Sequence, residues 1–487
     1  MLKILVTGAL YNIVNILAQI LLGLVVFREM LLHFGEADFG TWSLLFAILA
    51  HVKLFEFGLG SIISKLVPIL KKGDSKNVSY FSTAIVAMAL IFAAFLAVLI
   101  AVALIGGQET LQFQGTEAFT LVLFLMGCNF LFLYLTGAFH AYLTGSFKVG
   151  RLNSVRLFIN VLRSVLIIGF LQFNSSVVIV AYIFALTSLL ELLLLFLISV
   201  KSGFFEDLDL STCSISSFNY VAERGYKLFF LSVNDYVRQN ALVIVCGFIL
   251  GVIAIVPLRI AGRLMEIYVQ ISVSLNYILT PYFSSIAIGD NDSVNKKFLI
   301  SINCATILSA LIFLNIVFIG DWFLTLWLGD VPQFTPEVVN LIAVGFCIAT
   351  IQGPCTSFLI SKDKNKTIML LCILEIVTLL SIIYPFVSLF GIMGAAYSMA
   401  ISLGLSRGIL QPIIISRVLK VSLLTYCVNL LVPMLILTVV LGILYVGATN
   451  LGFTNENFTV ISFAFSQAVV AIAAALYLKS KINKQQN

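Results

Sequence analysis

Residues 227–250 read KLFFLSVNDYVRQNALVIVCGFIL, an apolar run of membrane-spanning length with Asn234, Asp235, Arg238, Gln239 and Asn240 in its middle. A lipid core rejects such side chains, so the run either faces a wet interior or is not a membrane helix. The rest of the chain decides between these. Of its 487 residues 61% are hydrophobic and 10% charged, and the mean hydropathy is +1.11. Soluble domains carry about 25% charged residues, which excludes a soluble fold. Apolar runs of roughly 20 residues recur from end to end, each long enough to cross ~30 Å of hydrocarbon as a helix. Backbone groups in lipid must be satisfied internally, which leaves helices or a closed barrel. Continuous apolar runs without period-two alternation select helices. The expected fold class is therefore an all-α polytopic membrane protein.

Fourteen helices are expected, at 5–27, 39–62, 80–105, 119–143, 155–172, 177–200, 228–250, 252–280, 298–320, 337–360, 367–389, 392–415, 422–446 and 457–478. Their connections are short, and the longest, 201–227, falls halfway along the chain. Lys and Arg in alternate connections divide 21 to 1, Arg28 being the single exception. By the positive-inside rule both termini are cytoplasmic, and the even helix count agrees. Pro68 and Pro281 each close the second helix of a half, and helices 5–27 and 228–250 both carry polar stripes. The expected organisation is an N-terminal six-helix lobe at 1–200, a cytoplasmic linker at 201–227, a second six-helix lobe at 228–416 and a terminal helix pair with a basic tail at 417–487. Parallel repeats of this kind place a transporter's site between the halves.

Helical spacing gathers the intramembrane polar residues into stripes. Asn12 and Gln19 share a face of the first helix. Lys53 and Glu56 lie near the cytoplasmic end of the second, and Arg156, Asn160 and Arg163 mark the fifth. The seventh has Asp235 and Arg238. The eighth carries the fullest stripe, with Arg259, Arg263, Glu266 and Gln270. Glu191, Glu375 and Arg407 stand alone in apolar surroundings. A charge at a helix centre costs about 2.5–3.5 kcal/mol on insertion scales, so five striped helices imply a shared wet interior. Its basic candidates, Lys53, Arg163, Arg238, Arg259 and Arg263, formally cancel the acidic ones, Glu56, Glu191, Asp235, Glu266 and Glu375. Each has a plainer reading too: Asp235 can pair with Arg238 three residues on, and Lys53 with Glu56.

The eight cysteines show no CxxC pairing, and the three histidines form no metal-ligand pattern. No Walker A, HExxH or partnered GxSxG motif is present, and no acidic cluster suited to Mg²⁺. The outer connections are too short to hold a catalytic domain. No enzyme activity, resident cofactor or nucleic-acid partner is expected.

Particular stretches carry a family resemblance. LHFGEADFGTWSLLFAILAHVKLFEFGLGSIISKLVP, residues 32–68, is similar to the first-to-second helix region of the polysaccharide flippases, with Phe39-Gly40 opening the second helix and Phe55-Glu56-Phe57-Gly58 closing it. NDYVRQNALVIVCGFILGVIAIVPLRIAGRL, residues 234–264, resembles their seventh and eighth helices, with an Asp-x-x-Arg pair before a glycine-ended apolar run. WFLTLWLGDVPQFTPEVVNLIAVGF and SKDKNKTIML resemble their ninth-to-eleventh helix region. The resemblance is to the O-antigen flippase (Wzx-type) branch of the multidrug/oligosaccharidyl-lipid/polysaccharide (MOP) exporters. It implies two six-helix lobes, alternating access, and export of an undecaprenyl-diphosphate-linked oligosaccharide across a bacterial inner membrane. It implies lumen-lining roles for Asp235 and Arg238; the assignment of Arg259, Arg263 and Lys53 rests on their stripes.

The expected partners are the lipid-linked oligosaccharide and membrane lipids, with polysaccharide polymerase and chain-length proteins as candidates. Protons, Na⁺ and the membrane potential are the candidate driving forces. A lipid II flippase shares the fourteen-helix plan. A multidrug/cation antiporter is the other transporter reading, against which the terminal helix pair counts. A polymerase or ligase is disfavoured by the short outer connections.

Overall fold

The structure, a computed structural model, describes residues 2–70, 75–105, 119–173, 175–286, 291–362 and 364–450, with backbone alone at 2–15, 53, 102–105, 227–228, 230–232, 273–278, 280–282, 284–286, 291–293 and 448–450. It is all-α, with no strand among the described residues. All thirteen expected helices that fall within those residues are found; the fourteenth, 457–478, lies outside them. Ten spans among the described residues are long and apolar enough to cross a membrane. The chain is a multi-pass membrane protein.

The helices are α1 (Leu2–Leu49), α2 (Leu59–Leu66), α3 (Ser75–Ile105), α4 (Phe119–Gly145), α5 (Val149–Leu171), α6 (Val177–Val200), α7 (Ile215–Leu250), α8 (Val256–Ile286), α9 (Asn291–Leu328), α10 (Thr335–Ile351), α11 (Gly353–Ser361), α12 (Asn365–Phe390), α13 (Ile392–Leu403), α14 (Gln411–Leu419) and α15 (Leu423–Asn450). Several expected helices are broken where the local sequence breaks them. α1 runs through both the first and the start of the second, turning at Gly35, whose φ of 72° suits a residue without Cβ. The second then tightens into a 3₁₀ turn at Ala50–Glu56 and reverses hand at Phe57 (φ 48°) and Gly58 (φ 74°) before α2 begins. The Phe-Glu-Phe-Gly segment is thus a break and not the end of a continuous helix. Gln352 and Pro354 separate α10 from α11, and a π-helical turn at Gly404–Leu410 joins α13 to α14.

By packing, the chain divides into two units, Met1–Val256 and Pro257–Asn487. The cut falls after α7, and the 201–214 segment packs within the first unit. Tyr142 Oη donates to Asp207 Oδ2 at 2.7 Å and Asp209 N–H donates to Ser82 Oγ at 2.9 Å. Phe204 is buried with Phe81, Tyr142, Leu143 and Leu195. In this unit α4 packs on α6, and α5 on α1 and α6. In the second unit α10 packs on α9 and α13, and α12 on α13. There α15 lies along α9 through Leu437 and Leu441 against Ala310 and Leu314.

Candidate functional site

On α7 the side chains of Asp235 and Arg238 come together, Oδ1 to Nη1 at 3.7 Å, with side-chain exposures of 67% and 15%. At that separation the pair is in charge contact but longer than a hydrogen bond. Asn240 beside them donates through Nδ2 to the Tyr236 carbonyl at 3.1 Å, while Gln239 is exposed.

On α8 the described stripe residues differ in their surroundings. Arg263 Nη1 donates to Glu266 Oε2 at 2.7 Å, a charge-assisted bond between side chains exposed by 21% and 38%. Arg259, one turn earlier, is half-buried like Arg263, and the Nε of both is buried. The opposite face of α8 is an anchor: Tyr268 Oη donates to the Ser309 carbonyl at 2.7 Å and pairs with its hydroxyl, and Ser309 pairs in turn with Thr350. Among the described residues each unit therefore holds a partly exposed Arg–carboxylate pair at a helical spacing of three.

The remaining expected residues separate. Glu56 stands at the helix break, where Oε1 accepts from the Gly60 N–H at 3.0 Å. It caps α2, a role in which a carboxylate meets the positive end of a helix. Its Oε2 points toward α4, 3.9 Å from where a Cβ on Gly137 would be. Arg163 is built into the contact of α4, α5 and α6. Its Nε donates to Thr187 Oγ1 at 2.8 Å and its Nη2 to Ser188 Oγ at 2.9 Å, and it lies 5.0 Å over the Phe184 ring. Ser188 passes the chain on to Asn129 Oδ1 at 2.6 Å. Arg156 sits 3.9 Å from Glu191 one layer away. This is the geometry of a helix clamp. Gln19 is half-buried on α1. The side chains of Asn12 and Lys53 lie outside the described residues.

The sequence reading left Glu375 and Arg407 isolated; in the structure they meet. Arg407, in the middle of the π-helical turn, donates from Nε to Glu375 Oε2 at 3.0 Å and from Nη1 to Gln411 Oε1 at 3.2 Å. Gln411 Nε2 continues to the Gln352 carbonyl at 3.3 Å, and Gln352 Oε1 accepts from Tyr426 on α15. A signal for this was present. Counted from the neighbouring ends of α12 and α14, Glu375 and Arg407 lie at depths of ~15 and ~18 Å at 1.5 Å per residue, so opposite charges sit at one level.

No protein-family model matches the chain, and no curated protein matches it. Solved structures do. A lipid II flippase, MurJ, in an inward closed conformation superposes with a TM-score of 0.70 at 16% identity, covering 98% of this chain and 99% of that one. A multidrug resistance MATE family transporter of the MOP superfamily, in an inward-facing conformation, gives 0.67 at 12% identity, over 83% of this chain and 96% of that one. A MOP superfamily transporter from Pyrococcus furiosus, described as having a binding pocket of reverse polarity, gives 0.59 at 13% identity, over 86% and 97%. This chain therefore has the all-α fold shared by the MATE transporters and the MurJ lipid II flippase of the MOP superfamily.

Proposed function

We propose that this protein is a flippase that moves an undecaprenyl-diphosphate-linked oligosaccharide, an O-antigen or other surface-polysaccharide repeat unit, from the cytoplasmic to the outer leaflet of a bacterial inner membrane. The observation that carries it is the extent of the likeness to the lipid II flippase, which continues over nearly the whole chain where the MATE likeness covers 83–86%. The resemblance of residues 32–68 and 234–264 to polysaccharide flippases supports the repeat-unit substrate. The half-buried arginines of the Arg263–Glu266 and Arg238–Asp235 pairs supply guanidinium forks suited to a diphosphate, each with a carboxylate beside it between visits. Alternating access requires that substrate or a coupled ion bind the two conformations unequally; protons, Na⁺ and the membrane potential are the candidate drives. Both termini are cytoplasmic in this reading. The partners are the lipid-linked glycan, membrane lipids and, as candidates, polymerase and chain-length proteins.

The near full-length likeness favours a second reading, a lipid II flippase. Deleting the gene separates them. Loss of surface polysaccharide, with lipid-linked repeat units held on the inner leaflet, is the expected result. Accumulating lipid II with failing cell walls selects the second reading, and intact polysaccharide with new drug sensitivity selects an antiporter.

A further inference from the structure

We infer that the end of the second unit where α9, α14 and α15 meet is a binding site for an anionic phospholipid, with Lys296, Lys297, Arg417 and Lys420 holding its phosphate. The site is built within this unit alone and holds whatever cargo the protein carries.

Three contacts gather the four cations. Asn295 Nδ2 donates to the Leu419 carbonyl at 3.1 Å, which sets the start of α9 against the end of α14. Phe298 stacks on Tyr426, with ring centroids 6.5 Å apart and planes at 25°, which brings the start of α15 to the same place. The turn from α14 to α15 closes on itself, with Val421 N–H donating to the Ser416 carbonyl at 3.0 Å. Lys296 and Lys297 directly follow Asn295, and Arg417 and Lys420 lie on either side of Leu419. Lys296, Arg417 and Lys420 are exposed and Lys297 is half-buried. Among the described residues none of the four meets a carboxylate. The acidic side chains described in this unit stand elsewhere, Glu266 and Glu375 within α8 and α12, and Asp321, Asp330 and Glu337 around the far end of α9 and the start of α10. Asp290, Asp292 and Asp363 lie outside the described side chains. Like charges crowded at one surface repel each other, and an anion between them offsets that repulsion.

The depth of the cations suits a lipid headgroup. Lys297 immediately precedes the apolar run that opens at Phe298, and Lys420 stands three residues before Leu423, where α15 begins. The charges therefore mark the edge of the hydrocarbon. Beside them Leu423 and Leu424 are 42% and 75% exposed, so the ligand carries apolar chain next to its charge. A free phosphate or an acidic peptide leaves those leucines uncovered. Between lipids with anionic heads, mass action fills the site with the abundant phospholipid ahead of a scarce lipid-linked diphosphate. The backbone adds a separate sign. Lys420 is held at φ 56°, at the position past a helix end where glycine is the usual residue. Orienting the chain by its basic residues requires cations at this end, but none in a left-handed turn.

The purified full-length protein in phosphatidylcholine nanodiscs, titrated with phosphatidylglycerol, tests this. Native mass spectrometry counts the lipid retained, and the melting temperature reads its effect on the fold. The parent is expected to retain phosphatidylglycerol over phosphatidylcholine and to melt higher with it. A basic residue near an anionic surface strengthens the attraction roughly fivefold, so Lys420→Gln should weaken retention about fivefold and Lys296→Gln with Lys420→Gln about twenty-five-fold. Lys420→Gly separates binding from folding, because glycine relaxes the turn. It should melt at or above the parent in phosphatidylcholine and still lose the same retention. Lys148→Gln with Arg151→Gln removes two charges from the first unit and should leave retention within twofold. Equal retention of the two lipids by the parent overturns the inference, as does an equal loss from the first-unit variant. Displacement of phosphatidylglycerol by undecaprenyl diphosphate at equal concentration also overturns it and assigns the cations to the transported lipid. No step of this test measures transport, so the proposed function stands or falls separately.

Discussion

Replacing Arg407 by methionine tests whether the second unit is held by its buried charge pair. Arg407 is 8% and Glu375 2% exposed, and their 3.0 Å bond joins the π-helical turn to α12. Methionine keeps most of the side-chain volume but leaves the Glu375 carboxylate without its cation at a site shielded from water. Breaking a buried pair from one side costs ~3–5 kcal/mol. At about 2–4 °C per kcal/mol for a unit of this size, the melting temperature in detergent should fall by roughly 6–20 °C. Joining Arg407→Met to Glu375→Leu removes the stranded charge, and replacing both members of such a pair is often neutral or stabilising. The double variant should therefore recover most of the loss. Thermal unfolding followed by tryptophan fluorescence, with membrane abundance alongside, reads both. A single variant that melts within ~2 °C of the parent refutes the reasoning. A double variant as unstable as the single shifts the stabilisation to the Gln411 and Gln352 bonds.

Charge reversal at the accessible pairs, Arg263→Glu or Arg238→Glu, should abolish polysaccharide export at unchanged protein abundance; parental export by both variants rejects their place in the substrate path. Arg163→Leu should instead lower abundance and melting temperature together, since its two hydrogen bonds from a charged donor contribute ~1.5–3 kcal/mol each, and a stable variant that exports nothing would return Arg163 to the substrate path. Gly225→Ala sets a methyl 2.6 Å from the Phe57 carbonyl, and overpacking of this kind costs ~1–3 kcal/mol. An alanine variant that melts with the parent shows that α7 and the helix break can move apart freely.

Much of this architecture was open to reading because lipid leaves a chain few choices. A run such as Val177–Val200 has no way to satisfy its backbone in hydrocarbon except as a helix, and the 21 to 1 division of basic residues gives the expected orientation without any coordinates. Spacing along one helix was equally legible. Asp235 with Arg238, and Arg263 with Glu266, pair within their own turns because residues three apart share a face. Arg163 shows where that logic ends. Its helical face was known, but whether the face meets water or Thr187 and Ser188 depends on where α6 lies.

The breaks show the same limit. Phe57 and Gly58 interrupt what the apolar pattern reads as one helix, because hydropathy records burial and not the sign of φ. The sequence alone determined the class of fold, most of the described helices and the Asp235–Arg238 pairing open to it, since each depends on contacts within a few residues and on the solvent that surrounds them. The tertiary structure alone decided that Glu375 meets Arg407, that Arg163 clamps helices together, and that α7 packs with the first unit. These depend on residues distant in the chain approaching within ångströms, and no local pattern encodes that approach.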